Sequence, residues 1–373
     1  MASEITNYQC PACTAPMRFD GESGKLTCDF CGSTYEVSEI EALYADKDKA
    51  AADASEQAQE KAEQTAADLA DAGWEVDENL RAYQCPTCGA ELITEKTTAA
   101  TSCPYCGNPS VVPGQLSGAL KPEFVLPFKI EKEAAVAALH KHYGKRNFYL
   151  PKLFRSDNHI EKVQGVYVPF WLFDAEVSGT GLYDGQDSVT HREGDYEVTR
   201  TMHYNVERAG SAEFSGIPVD ASRKMPDNYM DSIEPFDYTQ LKPFSTAYLP
   251  GFLADRYDVS AEEASPRMEA RCENALDNLL RRDIDHSVVV NNSFSAKVEN
   301  KEVHYALLPV WMLTTKWRDQ TYLFAMNGQT GKFVGELPTD NGLFWRNVAV
   351  LTLLVTLVLR LTGITRMILS LFG

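Results

Sequence analysis

Eight of the nine cysteines stand in Cys-x-x-Cys pairs: Cys10/Cys13, Cys28/Cys31, Cys85/Cys88 and Cys103/Cys106. Such pairs carry two kinds of chemistry, thiol–disulfide exchange and metal coordination. The stretch CPYCGNP, Cys103 to Pro109, tests which applies. A redox dithiol sits ahead of a helix whose N-terminus lowers the thiol pKa, inside a βαβ unit. Here Gly107-Asn108-Pro109 follows, a run that breaks a helix rather than opening one.

Spacing points to metal. Fourteen residues separate Cys13 from Cys28 and again Cys88 from Cys103. The likeness extends beyond cysteine: YQCPAC from Tyr8 matches YQCPTC from Tyr83, and CDFCGSTYEV from Cys28 matches CPYCGNPSVV from Cys103, at an offset of 75. Each copy is Cys-x2-Cys-x14-Cys-x2-Cys, one residue under the usual range for ribbon-type zinc sites. Four thiolates suit a closed tetrahedral Zn²⁺, which is structural rather than catalytic. Glycine follows the second cysteine at Gly32, Gly89 and Gly107, where the chain must turn tightly, and Thr14 is the exception. The expectation is two Zn²⁺, one on Cys10, Cys13, Cys28 and Cys31, the other on Cys85, Cys88, Cys103 and Cys106. Cys272 belongs instead to an apolar stripe with Met268, Leu276 and Leu279 and reads as core.

The elements that must position these thiols come next. At 373 residues the chain has room for two or three domains. Its net charge of −18 disfavours broad attachment to nucleic acid or anionic lipid. The charge is uneven, since 38–80 holds 13 acids against 3 bases. That stretch, rich in Ala, Glu, Gln and Lys and stopped by Gly73, predicts one long helix of roughly 50 Å. Its apolar positions are mostly Ala, too small for a strong coiled-coil seam, so a solvated spacer and a weak self-association helix both stand. The opening MASEITNYQC lacks a secretory pattern, and cysteines in metal-type pairs fit a reducing compartment, so the cytosol is expected for the soluble part.

The last 31 residues carry no acid. Asn347 to Leu359 is uncharged and mostly apolar but too short to span alone, so a span must continue past Arg360. A membrane anchor over 343–373 is the expectation, against an interfacial helix or a buried soluble one; Trp345 and Arg346 suit an interface.

Between ribbons and tail, 120–338 alternates helix-like and strand-like runs. EKEAAVAALHKHYG predicts a helix with a stripe of Val136, Leu139 and Tyr143, and GVYVPFWLFDAEVSGTGLYDG reads as a hairpin. A second helix is expected to open at Ser265-Pro266, with antiparallel strands after it. A faint repeat runs through this body. VPFWL from Val168 resembles LPVWM from Leu308, and Leu126-Pro127 and Leu249-Pro250 precede the two helices. Proline in a strand predicts sheet edges at both Pro-x-Trp runs. GQTGK, from Gly328, is too short for a phosphate loop and lacks its Ser or Thr, so it reads as a hairpin turn. No histidine triad shows useful metal spacing, and His140 and His142 read as surface residues.

The paired ribbons, the two Pro-x-Trp runs and FAMNGQTGKFVGELP before an apolar tail resemble a family of bacterial proteins known as transcription factor IIB-type zinc-ribbon-containing proteins. The resemblance covers nearly the whole chain and implies zinc and membrane association. Some relatives bear a primosomal-helicase name, which the absent phosphate loop argues against here. The expected fold class is α+β: four-cysteine zinc ribbons at 8–37 and 81–113, a helical acidic spacer at 38–80, an antiparallel α+β body at 120–338 and the anchor. The expected function is a non-enzymatic, membrane-anchored scaffold or adaptor that binds a protein partner on the cytoplasmic side. Two other classes stand beside it: a nucleic-acid-binding ribbon factor, and a membrane-associated enzyme using the body.

Overall fold

The computed structural model describes residues 8–45, 80–84, 91–95, 97–102, 109–111, 121–144, 150–155, 162–318 and 320–361. Among the described residues, five helices and a large mixed sheet make the chain α+β, as expected. The order is β1 (Arg18–Asp20), β2 (Lys25–Thr27), β3 (Thr34–Tyr35), α1 (described over 37–45), β4 (Leu80–Gln84), β5 (Glu91–Glu95), β6 (Thr98–Ser102) and β7 (Pro109–Val111). There follow β8 (Phe124–Val125), α2 (Lys132–Gly144), β9 (Gln164–Glu193), β10 (Tyr196–Asp220), α3 (Asp227–Ser232), β11 (Lys242–Pro243) and β12 (Leu253–Asp255). The chain then runs through α4 (Ala261–Arg282), β13 (Val288–Trp317), β14 (Gln320–Asn327), β15 (Phe333–Gly335) and α5 (Asn341–Leu361).

Two compact units are formed. One comprises Met1–Pro127, Tyr167–Asp231 and Asp237–Pro309; the other, Phe128–Val166, Ser232–Phe236 and Val310–Gly373. In the first, β9 and β10 make a long antiparallel hairpin that turns at Gly194, whose φ of +62° favours glycine. The segment expected to be a hairpin by itself, GVYVPFWLFDAEVSGTGLYDG, is therefore a single strand. Its glycines are not turns, and Gly179, with Gly210 opposite it on β10, thins the sheet beneath α4. A Cβ at Gly179 would come 2.9 Å from Ser295 O and 3.2 Å from Leu276 Cδ2, and one at Gly210 would come 3.0 Å from Leu280 Cδ2. On the face so lowered, Phe173, Ala175 and Val177 meet the buried stripe of α4, Ala264, Met268, Cys272 and Leu276. The four-residue steps of that stripe are the helical period, and Cys272 is core, as its neighbours in the sequence imply. Helix α4 opens a turn earlier than expected. Ser260, not Ser265, is the N-cap, its side chain accepting from Glu263 N, and Pro266 lies inside the helix.

The second unit repeats this plan. Helix α2 buries Ala135, Leu139 and Tyr143, again at steps of four, and β13 pairs with β14 from Val310↔Asn327 to Trp317↔Gln320. The GQTGK stretch is a turn, as expected. Asn327 Oδ1 accepts from Gln329 N and Thr330 N, and Gly331 takes φ +77° before β15 pairs back on β14. His142 is half-buried rather than exposed, its ring meeting Phe333 edge-on at 4.8 Å.

The faint repeat of the body is thus a structural one, and its halves are exchanged. Trp171 Nε1 donates to Val259 O at 2.9 Å, two residues before α4 begins. Trp311 Nε1 donates to Ile130 O at 2.8 Å, two residues before α2 begins. Each tryptophan therefore clasps the helix entry of the other sequence half, and each unit combines one half's helix with the other's hairpin. The Pro-x-Trp runs are not at sheet edges: β9 and β13 are both interior, with neighbours on either side. Their prolines are tolerated because hairpin pairing begins just after them, at Phe170 and Val310.

Candidate metal centre

Cys10, Cys13, Cys28 and Cys31 bring their sulfurs within 4.8 Å of one another. The two turns that carry them are built alike. Thr14 N donates to Cys10 O at 2.8 Å and Cys10 N to Ala15 O at 2.7 Å; Gly32 N donates to Cys28 O at 2.9 Å and Cys28 N to Ser33 O at 3.0 Å. Each turn needs a left-handed residue after its second cysteine, and both have one: Thr14 at φ +61°, Gly32 at +71°. The departure from glycine at Thr14 is thus a strained residue in a shared geometry, with its hydroxyl on Cys13 O. Nothing lies within 4 Å of a Cβ built on Gly32, so Gly32→Ala is expected to cost only the backbone penalty, about 1 to 2 kcal/mol. Thr14→Gly is expected to gain a similar amount. Thermal melts of zinc-loaded protein check both, and opposite signs would refute the shared-turn account.

Across the turns, Cys10 and Cys31 sulfurs lie 3.6 Å apart, and Cys13 and Cys28 sulfurs 3.5 Å. A tetrahedral ion with sulfur ligands at about 2.3 Å places them about 3.8 Å apart, so the four thiols fit a metal such as zinc. Without one, four thiolates this close repel. Hydrogen bonds from the Ser33 hydroxyl and backbone hold Cys31 down to about 6. The Ala15 N–H, the largest single influence on Cys13, lowers its pKa, but burial and the three neighbouring cysteines together push it up to about 12. A divalent cation removes this conflict by taking all four as thiolates.

A small core holds the turns in place. Tyr8, Met17, Phe19, Leu26, Ile40 and Tyr44 are all buried. Ile40 and Tyr44 come from α1, so the expected spacer begins as part of the ribbon: Tyr44 OH donates to Gln9 O at 2.9 Å, and its ring lies 5.1 Å from Tyr8. The ribbon is docked on the body of its unit against the segment 246–251. Tyr8 bonds to Thr246, Phe19 N donates to Pro250 O at 3.0 Å, and Phe19 meets Tyr248 edge-on.

Cys85, Cys88, Cys103 and Cys106 lie outside the described residues, as does the spacer from 46 to 79. The strands on either side of the second copy's cysteines are described, and they keep the first copy's register at the offset of 75. Gln9↔Pro16 recurs as Gln84↔Glu91, and Thr27↔Thr34 as Ser102↔Pro109. Strand β6 also pairs with β12, Ala100 opposite Ala254, so both copies meet the body on neighbouring residues of one segment.

One group was missed by spacing. Asp174, Glu302 and His304 bring ligand atoms within 4.8 Å, which corrects the expectation that no histidine joins such a group. Glu302-x-His304 on a strand shares a face, a period-two signal present in the sequence, but Asp174 arrives from β9 through the fold alone. Glu123 takes His304 Nδ1 at 2.7 Å and Glu302 stands 3.4 Å from Nε2, so the group satisfies a protonated imidazole. Glu123, against a smaller opposing effect of burial, raises the His304 pKa above its ordinary 6.5. The folded pKa being the higher, this contribution to stability is full below about pH 6.5 and fades as pH rises through the folded value. His304→Gln is expected to flatten that alkaline decline in urea midpoints, and an unchanged pH profile would dismiss it.

The last element is α5. Asp340 caps it, Oδ1 accepting from Gly342 N at 3.0 Å and Leu343 N at 3.1 Å. Asn341–Arg360 is long and apolar enough to cross a membrane and has none of its apolar window buried.

Fold and site together define an α+β protein with a four-cysteine ribbon that could hold a metal ion and an exposed apolar C-terminal helix. No protein-family model matches the chain, and no solved structure does. The uncharacterized protein YdjG of Bacillus subtilis (strain 168) is 36% identical to it over 345 residues, which span 91% of this chain and 92% of that protein. The chain belongs to the same family as YdjG.

Proposed function

We propose that the protein is a non-enzymatic scaffold anchored by α5 in the cell membrane, which holds two zinc ribbons on the cytoplasmic side to bind a protein partner. The second zinc is carried by Cys85, Cys88, Cys103 and Cys106; the matching strand register around these residues supports it. The resemblance to transcription factor IIB-type zinc-ribbon-containing proteins agrees with zinc and membrane association.

The observation that carries the reading is the surface of the first ribbon. Between Cys28 and Cys31, Phe30 is 82% exposed. The ribbon's two cations are engaged by its own acids, Arg18 with Asp29 at 3.1 Å and Lys25 with Glu36 at 2.6 Å. Phosphate-backbone binding needs cations free to displace counterions, whereas an aromatic set among paired charges suits a protein interface.

Crosslinked capture from native membranes tests this with intact protein, Phe30→Ala, and Cys85→Ser/Cys103→Ser, each with and without nuclease. One protein partner that survives nuclease and is lost with Phe30→Ala, while zinc content is unchanged, supports the reading. Recovery of nucleic acid instead, or partners indifferent to both variants, overturns it. Ending the chain at Asp340 is expected to abolish membrane sedimentation; a shortened chain that still pellets would refute the anchor.

A further inference from the structure

The turn between β13 and β14 is tied to the start of the apolar helix. Arg318, at that turn, lies 3.6 Å from Asp340 Oδ2, the residue that caps α5. The turn is also unusual in its own backbone. Trp317 pairs with Gln320, leaving two residues to close the hairpin, and the first of them, Arg318, takes φ +49°. Two-residue hairpins place glycine, asparagine or aspartate at such angles, because any larger side chain strains the backbone there. An arginine held in that conformation, 63% exposed, with its guanidinium 4.3 Å from the centre of the Trp317 ring, is a costly choice for a plain turn.

Resting on the anchor reading above, the geometry points to this turn as a second membrane contact, with Arg318 and Trp317 seated in the phospholipid headgroup layer where α5 enters. Length sets the depth. Helix α5 has 21 described residues, about 31 Å at 1.5 Å per residue, against a hydrocarbon core of about 30 Å. Taking Asn341–Arg360, the stretch long and apolar enough to cross, as the span places its cap, Asp340, at the hydrocarbon boundary. Each headgroup layer beyond that boundary is about 5 to 8 Å thick. Arg318, 3.6 Å from Asp340 and 63% exposed, is within reach of that layer. The chemistry matches the place: the guanidinium carries five N–H donors, so the one facing Asp340 leaves others to fork onto phosphate oxygens, and indole rings collect at the membrane–water interface. Trp345, 67% exposed in the first turns of α5, belongs to the same belt. The turn's sequence, Lys316-Trp317-Arg318-Asp319, is of mixed charge, so the contact is one guanidinium to phosphate rather than a polybasic patch.

The test uses the full chain labelled with fluorotryptophan, in nanodiscs of phosphatidylcholine and phosphatidylglycerol, with a gadolinium-chelating headgroup lipid added and each resonance assigned by a Trp→Phe variant. Trp345 and Trp317 are both expected to be lost to broadening. Trp311, six residues up the strand and so about 20 Å away, is expected to stay sharp. Trp345 broadened with Trp317 sharp overturns this contact and leaves the anchor standing; both sharp overturns the anchor and the contact with it. Arg318→Gly relieves the left-handed strain and so keeps the turn, yet is expected to lose the Trp317 broadening while Trp345 keeps its own. Unchanged broadening of Trp317 in that variant would remove Arg318 from the contact.

Discussion

Replacing Cys28 with serine is expected to remove one zinc ion per chain, leaving one in the two-zinc scaffold proposed above, and to unfold the first ribbon. Cys28 is buried, and its sulfur stands 3.5 Å from that of Cys13, so a hydroxyl there leaves the ion three thiolates and an uncharged oxygen. The strands it would leave behind are two or three residues long, too short to persist alone. Structural zinc contributes about 10 to 16 kcal/mol in zinc-finger peptides, as much as the gross burial of the ribbon's core side chains at about 1.5 to 3 kcal/mol each, so losing it removes about half of what offsets the cost of ordering the chain. Hydrogen exchange at Phe19 and Leu26 should therefore rise toward the open-chain rate, while amides of α4 keep their protection. Metal analysis of the purified protein checks the stoichiometry. A wild-type value of one would remove the second site, and a Cys28→Ser protein with unchanged zinc and exchange would remove the first.

Trp311→Ala is expected to destabilise the unit built on α2 by about 3 to 5 kcal/mol, the range for truncating a buried aromatic. The ring is 5% exposed and meets Phe128 edge-on at 5.1 Å. Its N–H also satisfies Ile130 O, ahead of the helix. Trp311→Phe separates these roles: it keeps much of the packing and drops the donor, so its cost should be about 1 to 3 kcal/mol for an unpaired carbonyl. Trp171→Phe should behave alike through Val259 O. Urea unfolding of Trp311→Ala, Trp311→Phe, Trp171→Ala and Trp171→Phe checks the series. Equal costs for Phe and Ala would mean that the hydrogen bond, not the ring, carries the clasp; no cost for either Phe variant would mean that the exchanged halves are held by packing alone.

Much of this was legible in the residues alone. Metal ligands are readable because thiolate coordination demands one residue type at short, fixed spacing, so the repeat at an offset of 75 singled out Cys10, Cys13, Cys28 and Cys31 before any fold was known. Helix stripes are readable for a related reason: Leu139 and Tyr143, or Met268 and Cys272, recur at the helical period because one face is buried. Tail composition likewise shows in sequence, since apolar length is a one-dimensional property. What the sequence could not convey lies in contacts between distant residues. The repeat of Pro-x-Trp was visible, but not that Trp171 serves the helix after it and Trp311 the helix far before it. Gly179 reads as part of a hairpin until α4 is laid across it. His304 looks isolated until Asp174 arrives from β9 and Glu123 from the bend before β8, and Arg318 looks like any hairpin residue until Asp340 stands beside it. Spacing along the chain fixes chemistry that neighbours share; which distant strands and helices meet is decided by burial summed over the whole fold, and no local pattern records it.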